Sequence, residues 1–179
     1  MRVVAYYTPE YSKVVQPLLA SLDKWNVNHS IEQISSRGSW VDNCAIKPEF
    51  ILRKLEESVD GILYVDADAE FMSPIEWEYF RTKTQILCPV IKYLNRDKWE
   101  LVSNTMYWPK TEDALRIAKE WVALQADSPQ EWDQITLAEI LNKNTESWNK
   151  LPDYYAAIDF MEVQAPAIVQ HQASRRMKF

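Results

Sequence analysis

The stretch GILYVDADAEF, Gly61 to Phe71, constrains the fold more than any other part of the chain. Ile62, Leu63, Tyr64 and Val65 form an unbroken apolar run bounded by a glycine, the pattern of a strand covered on both faces in a parallel sheet. Asp66, Asp68 and Glu70 then follow at every second position. Alternate side chains of an extended chain share a face, so these carboxylates crowd together at the carboxyl end of the strand. Like charges at that spacing call for a counter-ion. A single acidic residue often does no more than solvate a loop, but three with period two go beyond that. Open α/β sheets bind ligands just beyond the carboxyl ends of their strands, so the pattern points to a divalent cation carrying phosphates.

The 179 residues suit one domain, residues 1–179, large enough to bury a core without disulfides or structural metal. A formal charge of -6 argues against a broad basic surface for nucleic acid or anionic membrane. The one basic cluster is SRRMKF, where Arg175, Arg176 and Lys178 either face a phosphate or keep a tail soluble. Cys44 and Cys88 lack the close paired spacing of zinc sites and read as reduced, structural thiols. Met1 leads almost directly into VVAYY, too short a run for a signal peptide, and no apolar run reaches membrane-spanning length. The expectation is a cytoplasmic protein with no membrane insertion. With only Gly38 and Gly61, the chain has no glycine-rich phosphate loop.

The hydrophobic pattern predicts a strand over Arg2 to Thr8, a helix over Ser12 to Lys24 and a strand over His29 to Ile34. The polar stretch SSRGSWVDN follows, and then a helix beginning at Pro48. After the acidic strand, Gln85 to Tyr93 and Leu101 to Trp108 read as strands separated by a turn at Asn95 to Lys98. Helices are predicted over Thr111 to Ala126 and Trp132 to Leu141, an edge segment from Leu151 and Pro152, and a last strand over Ile168 to His171. This order predicts a three-layer α/β domain.

Two carboxylates supply the hard oxygen ligands that suit Mn2+ or Mg2+, and they leave positions for a diphosphate. An EF-hand loop starting at Asp66 would need glycine at Phe71 and glutamate at Trp77, and fails. A haloacid-dehalogenase phosphatase also carries a DxD strand, but that family prefers Thr or Val at the position of Glu70 and usually uses its first strand. His171, with Arg175 and Arg176 close behind, would complete a metal and diphosphate site, since imidazole suits Mn2+ and guanidinium pairs with phosphate oxygens. His29 reads as structural. Asp133 and Gln134 fall in the first turn of a helix, where an acid either favours the helix dipole or points at substrate. Among eight tryptophans, Trp40 and Trp108 are candidates for stacking on a sugar.

In order and spacing these segments resemble the GT-A nucleotide-sugar glycosyltransferases, nearest to the glycogenin and lipopolysaccharide galactosyltransferase group. VVAYYTPEYSKVVQPLLASL is similar to that family's first strand and helix, and IKPEFILRKLEESVDGILYVDADAEF to the helix and strand that deliver its DxD motif. SNTMYWPK resembles the strand with Asn-Thr-Gly, WDQITLAEIL the Asp-Gln helix, and IVQHQASRR stands in the place of the late metal-binding histidine. Met106 replaces the motif glycine, and Gln172 to Arg176 do not reproduce the glycine and lysine that follow the late histidine.

The resemblance implies a single three-layer GT-A (Rossmann-like) domain with a mostly parallel central sheet. It implies Asp66, Asp68 and His171 as ligands of Mn2+ or Mg2+, with Asp66 also touching the ribose. Tyr6, Thr8 and Lys47 would lie near the nucleotide, and Arg175 or Arg176 would substitute for the missing lysine. Asp133 and Gln134 would serve the reacting sugar or the acceptor. The implied activity is metal-dependent transfer of a sugar from a nucleoside diphosphate sugar, a UDP-sugar first among them, to a hydroxyl acceptor. The resemblance favours retention of configuration, while inversion would make Asp133 the base. A DxD phosphatase and a non-catalytic nucleotide-sugar or carbohydrate-binding module remain alternatives. Nucleic acid is disfavoured by charge, with modified DNA left open as an acceptor.

Overall fold

The computed structural model describes residues 1–92 and 98–173. The strands are β1 (Arg2–Tyr7), β2 (His29–Gln33), β3 (Ile62–Val65), β4 (Ala69–Phe71), β5 (Ile86–Cys88), β6 (Val90–Lys92), β7 (Trp99–Leu101), β8 (Thr105–Trp108), β9 (Trp148–Lys150), β10 (Ala157–Ile158) and β11 (Ile168–Gln170). The helices are α1 (Gln16–Lys24), α2 (Trp40–Cys44), α3 (Lys47–Glu57), α4 (Trp77–Arg81), α5 (Glu112–Asp127) and α6 (Asp133–Lys143).

Six strands form the central sheet in the order β2-β1-β3-β8-β5-β9. The β1 strand pairs in parallel with β2 and β3, and β9 in parallel with β5, while β8 alone runs against its neighbours. Alternation along the strands sends side chains to two separate cores. Val3, Ala5, Leu63 and Val65 join Leu18 and Leu22 of α1 on one face. Val4, Tyr6, Ile62 and Tyr64 join Phe50 and Ile51 of α3, Trp121 of α5 and Leu137 of α6 on the other. Three layers result. A smaller sheet, β10-β11-β4, brings the late strand β11 antiparallel to β4, with Gln170 opposite Ala69.

Several elements differ from the sequence expectation for identifiable reasons. The first helix begins at Gln16 rather than Ser12, because Pro17 lacks an N–H and fits only the first helical turn; a 3-10 turn over Pro9–Tyr11 precedes it. The expected strand Gln85 to Tyr93 is broken at Pro89, which cannot donate to a ladder, and Tyr93 lies outside the described residues. The Asn95 to Lys98 turn lies largely outside them too. The expected strand Leu101 to Trp108 is likewise two pieces, β7 and β8, separated by Val102, Ser103 and Asn104. The polar stretch SSRGSWVDN contains α2, whose N-terminus is capped by Ser39 Oγ accepting from the Asp42 amide. The edge strand is β9, ending just before Leu151.

Trp108 is not available to a sugar. It is fully buried and stacked on Trp121, with ring centroids 5.8 Å apart and planes 6° from parallel. Its neighbourhood explains Gly61, which has φ +99°. A Cβ there would stand 2.7 Å from the Trp108 carbonyl oxygen, so only glycine lets the two backbones pass.

Candidate active site

Four chain segments converge at the carboxyl ends of β1 and β3 on a cavity of about 410 Å3. The β1 end supplies Tyr6 and Thr8, α3 supplies Lys47 at its first position, the β3 end supplies Tyr64, Asp66 and Asp68, and α6 supplies Asp133 and Gln134. All eight residues line it, as do Trp40, Ser103, Asn104, Trp132 and Gln170. The sequence-predicted residues Tyr6, Thr8, Lys47, Asp66, Asp68, Asp133 and Gln134 are therefore gathered in one place. His171 is not among the lining residues, and Arg175 and Arg176 lie outside the described residues.

Lys47 is the hub. Its Nζ lies 3.0 Å from Asp66 Oδ1 and 3.0 Å from Asp133 Oδ2, and donates to the hydroxyl and the carbonyl oxygen of Ser103. Burial opposes the ammonium charge, but the two carboxylates outweigh it and hold Lys47 well above the ordinary lysine value. Asp133 is as buried as Lys47. Its Oδ2 also accepts from Ser103 Oγ at 2.6 Å, and Trp121 Nε1 donates to its backbone carbonyl, fixing the start of α6 beneath α5. Tyr6 donates to the Asn43 carbonyl oxygen, tying β1 to α2.

Asp66 keeps about a third of its side-chain surface exposed, at 34%. Tyr64 donates to its Oδ1 at 2.8 Å, and its amide donates to the Asn104 carbonyl oxygen. Burial pushes its carboxyl up to about 6, with Asp68 and Asp133 adding to burial and Lys47 opposing it. Burial also raises Asp68, whose Oδ2 accepts from the Ala173 amide at 2.6 Å. Among the described residues one ammonium is shared between two carboxylates, with Asp68 a third close by. With all three ionised the cluster carries an excess of negative charge, which adds to the burial that lifts Asp66 despite its ion pair.

His171 is beside this cluster in the chain but turned to another one. Its amide donates to the Asp68 carbonyl oxygen, while Nε2 lies 3.0 Å from Glu70 Oε2 and Nδ1 3.2 Å from Asp159 Oδ1. Among the described residues no group of three or more His, Cys, Asp and Glu side chains converges as a metal site. The donor set that does face the cavity is Asp66 and Asp68, hard carboxylate oxygens whose carboxyls burial raises. That chemistry fits Mn2+ or Mg2+, with a substrate completing the shell.

Sequence reasoning missed Ser103, Tyr64, Asn104, Trp132 and Gln170. Tyr64 precedes Asp66 by two residues on a strand and so shares its face, a signal readable from spacing alone. Ser103 had none, because it joins Lys47 and Asp133 only through tertiary contact. Trp40 does lie at the cavity, edge-to-face with Trp132 at 5.0 Å.

A solved structure described as a glycosyltransferase involved in the glycosylation of the major capsid of PBCV-1 is similar to this chain with a TM-score of 0.74. The match covers 94% of this chain and 91% of that one, at 14% identity. The fold is GT-A-like. No family model and no curated protein sequence matches the chain. No helix among the described residues is long and apolar enough to cross a membrane.

Proposed function

We propose that this protein is a metal-dependent glycosyltransferase that moves a sugar from a nucleoside diphosphate sugar to a hydroxyl acceptor. The observation that carries the reading is the imbalance at the cavity floor, where among the described residues Lys47 is paired with Asp66 and Asp133 and Asp68 adds a third carboxylate. A divalent cation held by Asp66 and Asp68 relieves the imbalance, and when bound it neutralises charge that develops on a leaving diphosphate. The similar fold of a glycosyltransferase and the position of the cavity at strand ends support the same reading.

The residues divide the work. Lys47 holds Asp66 and Asp133 in fixed orientation, so both carboxylates are preorganised at no cost during reaction. Asp133 Oδ2 is already engaged by an ammonium and a hydroxyl. A carboxylate oxygen so engaged is a weak base, which favours a hydrogen-bonding role toward the sugar over proton abstraction. That supports retention, in which the leaving phosphate takes the acceptor proton. Gln134, beside Asp133, offers an amide to the same sugar. Trp40 and Trp132 provide an aromatic rim suited to the C–H face of a sugar.

A thermal-shift panel of nucleoside diphosphates and their sugars, with Mn2+ and with EDTA, tests the reading. Stabilisation is expected with Mn2+ and a UDP-sugar and is expected to vanish on chelation, because bare Asp66 and Asp68 repel a diphosphate. Undiminished stabilisation in EDTA would remove the metal. The pH dependence has a definite sign. Asp66 loses its charge as pH falls through about 6, so Mn2+-dependent nucleotide affinity should drop between pH 7 and pH 5. Calorimetry across that range reads it, and a flat profile would separate Asp66 from the ion.

A further inference from the structure

We propose that the cation is held by oxygen ligands alone, Asp66, Asp68 and the carboxamide oxygen of Gln170 with that of Asn104 beside it, and not by His171. The proposal rests on the metal-dependent reading above and names the ligands of its cation. Two facts carry it. The imidazole of His171 has a carboxylate on each ring nitrogen, Glu70 and Asp159, and does not line the cavity. Gln170 and Asn104 do line it, and each has a side-chain oxygen, Oε1 and Oδ1, that is shielded from solvent and takes no hydrogen bond among the described residues.

An unpaired buried carbonyl oxygen is costly, and native proteins rarely keep two in one wall without a ligand for them. The orientation of Gln170 is fixed by its other end. Nε2 donates to the Asn104 carbonyl oxygen at 3.1 Å and to Thr105 Oγ1 at 2.8 Å. Turning the amide over would set Oε1 against the Asn104 carbonyl, so the unpaired atom is the oxygen. Gln170 is only 2% exposed. The same Asn104 carbonyl oxygen accepts from the Asp66 amide, so one backbone group ties the Gln170 carboxamide to the acidic strand end.

The carboxylates are arranged to share a cation. Tyr64 and Lys47 engage Oδ1 of Asp66, and Ala173 engages Oδ2 of Asp68, so each aspartate has a second oxygen to offer. A small cation approaches oxygen to about 2.0–2.2 Å, closer than a water molecule does, and so can reach oxygens that water does not. Carboxylate and amide oxygens form a hard donor set, which selects Mg2+ and Mn2+. His171 is then a structural residue that pins Asp68 through its amide while its ring joins Glu70 to Asp159.

The test titrates Mn2+ into the purified chain, alone and with UDP, and follows the paramagnetic resonance of the free ion. Bound Mn2+ is then examined by pulsed resonance for modulation from an imidazole nitrogen. The expected result is no imidazole modulation, an affinity within about twofold of wild type in His171→Ala, and a loss of about tenfold in Gln170→Leu. Imidazole modulation that disappears in His171→Ala would overturn the oxygen-only set while leaving metal dependence intact. Unchanged affinity in Gln170→Leu would likewise overturn it. If Gln170→Leu does not fold, the nitrogen signal of the wild-type protein decides. Absence of Mn2+ binding to the wild-type chain, with and without UDP, would overturn the metal-dependent reading itself.

Discussion

Asp68→Asn is expected to lower transfer by about 100- to 10,000-fold while leaving the fold as stable as the parent. The substitution keeps the side chain's shape and an oxygen able to accept from the Ala173 amide, so the local backbone keeps its tether. What it removes is a charge. Loss of several kcal/mol of stabilisation at a leaving diphosphate corresponds to a rate loss of that size. Stability should not fall with it, because burial already raises the Asp68 carboxyl and the ionised form is disfavoured in the folded protein. A group raised in the folded state is most favourable when protonated, and its ionisation costs stability as pH rises past its unfolded value. An amide escapes that cost at neutral pH. Thermal melts at pH 7 with turnover of a UDP-sugar separate the two effects. Parental turnover would reduce the acidic strand end to a solvated turn, and a lower melting temperature would make Asp68 a structural residue.

The acidic strand end was legible because its chemistry is local. A four-residue apolar run needs no tertiary information, and β3 with Asp66 and Asp68 at its exit is where it falls. The period-two expectation of three acids on one extended face fails at Glu70, because the chain turns at Ala67 and Asp68 and β4 sends Glu70 to His171, away from the cavity. The helix expected from Pro48 and the one expected over Thr111 to Ala126 were equally readable, from a proline at a first turn and from apolar spacing, and they are α3, which starts one residue earlier at Lys47, and α5, which Thr111 caps. What sequence could not supply was the identity of the polar partners. The Ser103 contacts with Lys47 and Asp133 span 56 and 30 residues, and Gln170 reaches Thr105 across 65. The late histidine shows the same limit from the other side. Its place after an apolar run pointed to the metal, yet β11 pairs with β4 in a register that gives the cavity Gln170 and turns the imidazole to Glu70 and Asp159. A one-residue step along a strand exchanges faces, and sequence alone does not reveal which residue of two faces the ligand. Trp108 was misread for a similar reason, since a residue at a strand end is exposed only if no helix covers it, and α5 does.

Lys47→Met is expected to destabilise the protein by about 3–5 kcal/mol, the cost of removing one partner from a buried ion pair. Met matches the stem of lysine and fills the same space against the Tyr64 ring and Ser103, so packing is conserved and the loss is electrostatic. Lys47 is 6% exposed and Asp133 is 5% exposed, so neither has water to fall back on. Without the ammonium, among the described residues the Asp133 carboxylate keeps the Ser103 hydroxyl, and Asp66 keeps Tyr64 while facing two like charges. The pH dependence identifies the cause. Asp66 stands at about 6 with Lys47 present, and losing the opposing charge raises it further. The folded variant then binds more protons than its unfolded chain from about pH 4 upward, so its stability falls as pH rises through that window. The deficit relative to wild type should be largest at pH 7 and above, and smallest near pH 4 to 5. Urea denaturation at several pH values reads this directly. A deficit independent of pH would assign Lys47 to packing alone. A divalent cation should recover part of the lost stability at pH 7, since it supplies the positive charge that Asp66 and Asp68 then lack, and the cluster that recovers by binding an ion is the one built to hold it.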